Sequence, residues 1–332
     1  MYEVYGGEIL AFGDLHFSDV YTGKHKDYLL NCCKVLKDIE NIINEHNPKA
    51  VVFLGDLVGW RETNIKNRQV LSMFCSFWRR ISTNRQVFAV RGNHDMRGYP
   101  DFNLLEDLGY IATPSYFDFY INVGDEEPQV RFHLVPYGNE SKPLELLGGN
   151  VTNVVLGHNN YTISGYTTWY AEHDGIEVSS LQNYVGVSLI VSGHIHAPSP
   201  ELYGTAMQDG SNCNLYYLGC PTRPAREYYD SARIASFKVV ENMGNEEVEF
   251  DIIDFPLVPS SELYHEDDSF IEEKNEQEIE EAIRKEKLAE VLSEITKFRL
   301  LGGDPMQQVD LIPNATDEAK SMCKKYIELA MR

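Results

Sequence analysis

Asp14 and His16, Asp56, the run Asn93-His94-Asp95, His158, and His194 with His196 are spread over much of the chain, yet each group stands directly after a short apolar run. Together they offer carboxylates, a neutral amide oxygen and several imidazoles, with no thiolate among them. Oxygen and nitrogen donors of this kind suit Mn²⁺, Fe²⁺ or Zn²⁺ better than a soft metal site, while Ca²⁺ or Mg²⁺ would recruit fewer histidines. The donors are too many for one ion. Two ions about 3.5–4 Å apart, bridged by one carboxylate, would clamp a phosphate and activate a water between them. Each fragment alone has a plainer reading, since an aspartate after a strand commonly caps a turn and a histidine commonly fills a core. The reading rests on the ordered series: five of the ten histidines follow apolar runs, in company with the aspartates and GNHD.

The runs themselves are EILAF (8–12), AVVFL (50–54), QVFAV (86–90), NVVL (153–156) and SLIV (188–191), short and rich in β-branched residues, as buried strands are. Between the first and second, Tyr28, Leu29, Cys32, Cys33, Leu36, Ile39 and Ile43 recur at helical spacing and Pro48 closes the segment. Val70, Leu71, Phe74, Phe77, Trp78 and Ile81 repeat the pattern between the second and third. The order βαβαβ predicts parallel strands joined by crossover helices, hence an α/β fold. In such a sheet the strand C-termini share one edge, where ligands bind. The clusters should converge there.

At these residues the chain resembles the calcineurin-like metallophosphoesterase superfamily, whose motifs DxH, GD, GNH[DE], GH and GHxH all occur here in order over residues 14–196. The resemblance implies a four-layer α+β sandwich, two mixed β-sheets flanked by helices. Later strand candidates RFHLV, LYYLG, RIASFKVV and VEFDIIDF fit that architecture. It also implies a first ion held by Asp14, His16 and His196, a second held by Asn93, His158 and His194, and Asp56 bridging them. Mn²⁺ is the ion expected, with Mg²⁺, Fe²⁺ or Zn²⁺ as alternatives. His94 would then face the scissile phosphate, neutralise developing charge and protonate the leaving oxygen, while a metal-bound hydroxide attacks in line. One departure stands out. Many members place an Asp or His three residues after the bridging aspartate to orient the catalytic histidine; this chain has Gly59 there, and Asp95 is the substitute it offers.

Within the superfamily the chain resembles SbcD-like nuclease subunits of DNA-repair complexes, on HLVPYGN (133–139), the long stretch between GHNN and GHIHAP, and YLGCPTRP (217–224). That likeness implies DNA ends as substrate, an SbcC-like coiled-coil ATPase as partner and a possible homodimer, and it includes phage-encoded relatives of similar length. A phosphatase or a small-molecule or cyclic-nucleotide phosphodiesterase would use the same site, and a degenerate regulatory or scaffold protein is the third reading.

Net charge is −22, which argues against a protein that coats nucleic acid unaided. Residues 1–100, however, carry 13 Lys+Arg and 11 Asp+Glu, a balance of +2, and Arg61, Lys66, Arg68, Arg79, Arg80, Arg85, Arg91 and Arg97 fall in one window. Arg61, Arg97 and Trp169, the last in the aromatic segment 161–175, are the candidates for contacting substrate. The six cysteines lack metal or disulfide spacing and read as reduced, mostly buried thiols. No apolar run approaches the roughly 18 residues of a membrane span, and the N-terminus has no signal-peptide character, so a cytoplasmic protein is expected, in the bacterial host if phage-encoded.

The expected organisation is a nuclease domain over 1–258, an acidic linker over 259–277 and a helical C-terminal region over 278–332. Ten acids against one lysine fall in 262–281, and Ile279, Ile283, Leu288, Val291, Leu292, Ile295 and Phe298 then recur at helical spacing. A second short helix is expected after Thr316. Two amphipathic helices could dock in a partner's groove or pack on their own chain.

Overall fold

A computed structural model describes residues 2–18, 27–59, 65, 67–95, 100–163, 175–222, 231–242 and 245–264. The chain divides into two units, 1–265 and 266–332, and only the first contains described residues. Most of the expected acidic linker and the whole of the expected tail helices fall outside them.

Strands β1 (Glu3–Tyr5) and β2 (Glu8–Phe12) open the fold, followed by helix α1 (Tyr28–His46), β3 (Ala50–Phe53), α2 (Arg68–Ser82), β4 (Gln86–Ala89) and α3 (Pro100–Asp107). Next come β5 (Tyr116–Tyr120), β6 (Val130–Val135), β7 (Thr152–Gly157), β8 (Tyr161–Thr162), β9 (Ile176–Glu177) and two 3₁₀ turns at Val178–Ser180 and Gln182–Tyr184. The last elements are β10 (Val187–Ser192), β11 (Tyr203–Ala206), β12 (Asn212–Tyr217), β13 (Ser231–Asn242), β14 (Asn245–Pro256) and the short α4 (Ser260–Leu263). Each of the five strands read from the sequence is present, as are both helices between them. Helix α1 begins where the Asp27 side chain accepts from the Leu30 amide and ends at Asn47, whose left-handed backbone (φ 47°) closes it just before Pro48. Helix α2 is capped by Asn67 in the same manner.

Two mixed sheets carry the architecture. The first has the order β14-β13-β2-β3-β4, with β2, β3 and β4 parallel and β13 antiparallel to β2. The second has the order β1-β5-β6-β7-β10-β12-β11, in which β6, β7, β10 and β12 run parallel. A third, two-stranded sheet pairs β8 with β9.

Alternation along β2 shows why these strands read as continuous apolar runs. Leu10 and Phe12 face α1 and α2, in a core with Val35, Ile39, Phe74 and Trp78, whereas Ile9 and Ala11 face the second sheet, in a core with Phe117, Phe132, Leu156 and Val191. Both faces are buried, so both parities must be apolar. A third core backs the outer face of the seven-stranded sheet. Among the described residues it is closed by Tyr161, Ile163, Val178, Leu181 and Tyr184, from β8 and the 3₁₀ turns, rather than by long helices.

Strands β13 and β14 are the longest among the described residues, twelve residues each and paired throughout, yet only Ala235–Lys238 of β13 pair with β2. Strand β14 forms the edge of its sheet, with Glu246, Glu247, Glu249, Asp251 and Asp254 exposed. Among the described residues no helix is long and apolar enough to cross a membrane.

Candidate metal centre

The turn after β2 carries Asp14 and His16, that after β3 carries Asp56, and that after β4 carries Asn93, His94 and Asp95. From the other sheet, β7 leads to His158 and β10 to His194 and His196. The converging strands bring all nine together. His16 Nε2 lies 3.1 Å from His196 Nε2, 3.5 Å from Asp56 Oδ2 and 4.0 Å from Asp14 Oδ1. On the other side, His158 Nε2 is 3.3 Å from Asp56 Oδ2 and 3.1 Å from Asn93 Oδ1, and His194 Nδ1 is 3.0 Å from the same amide oxygen. Asp56 thus touches both halves. Ligand atoms of Asp14, Asp56 and His158 lie within 4.8 Å of one another, as do those of His16, Asp56 and His94.

The backbone at these turns is unusual. Among the described non-glycine residues only Asp14, His16, Asp56, His194 and Asn47 have positive φ, and four of those five are in the centre. Such conformations persist where surrounding structure over-determines them, and they cluster at functional sites. The glycines of the motifs have an equally concrete reason. A Cβ on Gly92 would overlap Asp56 Oδ1, and one on Gly193 would lie 2.6 Å from Asp14 Oδ2 and 2.9 Å from His158 Nδ1. The donors can approach one another only because both positions lack a side chain.

Two ring orientations are set by backbone carbonyls. His158 Nδ1 is 2.6 Å from the Leu54 carbonyl and His16 Nδ1 is 3.1 Å from that of Gly59, which leaves Nε2 of each ring turned toward the centre as a ligand atom. Gly59, where the sequence departs from the family pattern, therefore contributes its carbonyl to His16. Asp95, 1% exposed, directs its carboxylate to three backbone amides: Oδ2 accepts from Asp56 (2.7 Å) and Gly92 (2.9 Å), and Oδ1 from Leu57 (3.1 Å). It clamps the turn that bears Asp56 to the turn that bears Asn93. The His94 amide donates to Asp56 Oδ1 (2.9 Å), and its partly exposed ring meets that of His16 edge-on with centroids 5.0 Å apart.

Electrostatics follow from burying so many ionisable groups. Burial, with Asp56 nearby, pushes Asp14 up to about 7 against the pull of His158 and His196, and the same two causes raise Asp95 to about 7. Burial alone would raise Asp56 as well, but His158, His16 and His94 overcome it and hold its carboxyl well below the usual range. His158 is the mirror case, with burial lowering it and Asp56 and Asp14 carrying it to about 9. Burial pushes His16 and His194 down to about 3, so their rings are neutral and able to ligate.

This donor set fits two divalent ions. Two metal–nitrogen bonds of about 2.0–2.1 Å at tetrahedral or octahedral angles place their nitrogens roughly 3 Å apart, the spacing seen between His16 and His196. One strongly acidic carboxylate lies between the two groups of imidazoles, as a bridging ligand must.

Two further residues adjoin the centre that their types did not mark out. Tyr137, after β6, packs its ring against His194 (centroids 5.4 Å) while staying 39% exposed, and its amide is tied to the Arg91 carbonyl. Cys220, after β12, places its sulfur 2.9 Å from the Asp14 carbonyl. In the sequence both belong to marked segments, HLVPYGN and YLGCPTRP, but nothing there assigns either residue a role. Arg61, Arg97 and Trp169 lie outside the described residues. Elsewhere in the basic window, Arg80 is bound to Glu40 through Nε (2.5 Å) and Nη2 (2.8 Å), and Arg91 to Glu106 (2.7 Å) with its guanidinium over the Phe102 ring.

Among solved structures, the chain is similar to TT1561 of Thermus thermophilus, at 10% identity and a TM-score of 0.40, over 69% of this chain and 93% of that one. It is also similar to a Staphylococcus aureus protein given the provisional name 5'-nucleotidase, in complex with alpha-ketoglutarate, at 13% identity and a TM-score of 0.39. That match covers 81% of this chain and 58% of the other. No curated protein sequence matches. The family model for calcineurin-like phosphoesterases matches residues 7–198, more than half of the chain and every motif from Asp14 to His196, so the chain belongs to that family of metal-dependent phosphoester hydrolases, which bind two divalent ions.

Proposed function

We propose that the protein is a phosphodiesterase that cuts DNA at its ends, the nuclease of a complex with a coiled-coil ATPase. The observation that carries the phosphoester-hydrolase part of this reading is the convergence of Asp14, His16, Asp56, Asn93, His158, His194 and His196 on one buried, preorganised spot with the partly exposed His94 beside it. Two divalent ions bound there, Mn²⁺ foremost, would supply Lewis acidity and an activated water. Of the chain's own groups, Asp14, His16 and His196 would hold one ion, Asn93, His158 and His194 the other, and Asp56 both. His94, anchored through its amide to Asp56, would hold the proton that passes to the leaving oxygen. Asp95 works as a positioning residue, because its three amide bonds fix the relative places of Asp56 and Asn93.

DNA as the substrate rests on the likeness to SbcD-like subunits. One structural observation supports it: Tyr137, held by its backbone beside His194 with part of its ring open, is an aromatic surface on which a base next to the scissile phosphate could stack. The ATPase partner and its docking through 278–332 rest on that likeness and on the helical periodicity of the tail, and dimerisation on the likeness alone. A second reading, a phosphatase or small-molecule diesterase, draws on the net charge of −22 and on the engagement of Arg80 and Arg91 by acids of their own chain.

One experiment separates them. Purified protein and its His94→Ala variant are incubated with Mn²⁺ and either an end-labelled linear duplex or bis(p-nitrophenyl) phosphate. Shortening of the duplex by the wild type and not by the variant is the expected result. Hydrolysis of the small diester alone, with the duplex intact even when a coiled-coil ATPase is added, would transfer the assignment to the second reading.

A further inference from the structure

Cys220 stands beyond the matched residues 7–198, and its surroundings are those of a ligand. Its amide donates to the carbonyl of His196 (2.9 Å), so the turn after β12 is bonded to the turn that presents that histidine. Its Sγ lies 2.9 Å from the carbonyl of Asp14 and 3.5 Å from Thr222 Oγ1, and the residue is fully buried. Most telling, Sγ and ring nitrogens of His16 and His196 all lie within 4.8 Å of one another. The other described cysteines, Cys32, Cys33, Cys75 and Cys213, belong to no such cluster. A metal–sulfur bond of about 2.3 Å and metal–nitrogen bonds of about 2.0–2.1 Å span a triangle of this size with only small side-chain movement.

We infer that Cys220 is a thiolate ligand of the ion held by His16 and His196. That makes one position of the pair a nitrogen, oxygen and sulfur site, while the position held by Asn93, His158 and His194 has nitrogen and oxygen donors alone. The inference rests on the reading that this centre binds divalent ions. On ligation the S–H bond breaks, the proton leaves to solvent and a sulfur–metal bond forms, with no change of oxidation state. A thiolate draws Zn²⁺ or Fe²⁺ to that position in preference to Mn²⁺, so the two positions of one centre would load with different metals.

Cobalt tests this without reference to activity. The metal-stripped protein, residues 1–332, is titrated with Co²⁺, and the bound metal is counted by elemental analysis. Its visible d–d bands report occupancy, and a near-ultraviolet thiolate-to-cobalt charge-transfer band reports sulfur ligation. The charge-transfer band should be present in the wild type and absent in Cys220→Ser and Cys220→Ala, and in competition with Mn²⁺ each variant should lose at least about tenfold in preference for Zn²⁺. Cobalt bound without the band, or a band that survives in a folded variant, overturns the inference and leaves Cys220 as a hydrogen-bond donor to Asp14. Failure of cobalt to bind at all would overturn the metal-centre reading with it. A variant that does not fold removes only the comparison, since absence of the band in the wild type still decides against the thiolate.

Discussion

The two sheets contribute different chemistry to one centre. The strand ends of the five-stranded sheet deliver the carboxylates of Asp14, Asp56 and Asp95, the amide of Asn93 and the rings of His16 and His94. Those of the seven-stranded sheet deliver His158, His194, His196 and the sulfur of Cys220. Every carboxylate comes from one side and imidazole nitrogen mostly from the other, so neither sheet alone supplies the full donor set for two ions. The site exists only while the apolar layer between the sheets, with Phe88, Phe117, Phe132 and Phe237 in it, keeps their ends aligned.

The sharpest way to break this division is to remove the shared carboxylate. Asp56→Asn should reduce turnover on the order of 10⁴-fold and lose both ions, whereas His194→Ala should lose one ion and keep the other, as counted by elemental analysis. Equal losses in the two variants would mean that Asp56 does not bridge. His94→Ala should cost about 10²–10⁴ in turnover with both ions retained, since the ring works on substrate rather than on metal. Truncation of a residue that touches no ligand tests the alignment itself. Phe132→Ala, fully buried between the sheets, should lower stability by about 3–5 kcal/mol in denaturant titration and weaken metal affinity in the molecules that remain folded. Metal affinity unchanged in that variant would show that each sheet edge is set independently.

The smallest effect is one of pH. His158, raised to about 9, and Asp14, raised to about 7, must both give up a proton to bind ions, whereas His16 and His194, lowered to about 3, have none to give above pH 5. The affinity of the ion held by His158 should therefore climb about tenfold per pH unit up to about 9, and that of the ion held by Asp14 at least tenfold per unit up to about 7, more steeply still because the Cys220 thiol also gives up a proton there, in a Co²⁺ titration at a series of pH values. Without ions the sign for stability is opposite. His158 contributes stability that is fully present below its unfolded value of about 6.5 and is lost as pH rises through about 9.

Much of this was legible in residue types. Strands buried on both faces leave unbroken β-branched runs, and ligand-bearing turns leave Asp, Asn and His directly after them, so β2, β3, β4, β7 and β10 and their polar ends could be read in order. Strands β1, β5 and β11 could not, being short or interrupted by polar residues such as Asp118 and Thr205. The role of Asp95 was hidden for a different reason. A carboxylate beside GNH looks like chemistry, while its bonds run to amides 38 and 39 residues away. Gly59 acts through a carbonyl that every residue possesses, so no residue type could signal it. Cys220 lay outside the ordered motifs, and a cysteine without metal spacing resembles an ordinary core thiol until the fold sets it beside His16 and His196.

The acidic face of β14 has a consequence for how copies of this protein tolerate one another. An open sheet edge invites a second strand to pair with it, the usual first step toward polymerisation. Here a second copy approaching in that way would set Glu246, Glu247, Glu249 and Asp251 against the same row of charges, Asp254 being paired with Arg233 of its own chain. The chain thus carries its own protection against edge-to-edge aggregation, and neutralising that row with serine would be expected to shorten the time the concentrated protein stays in solution.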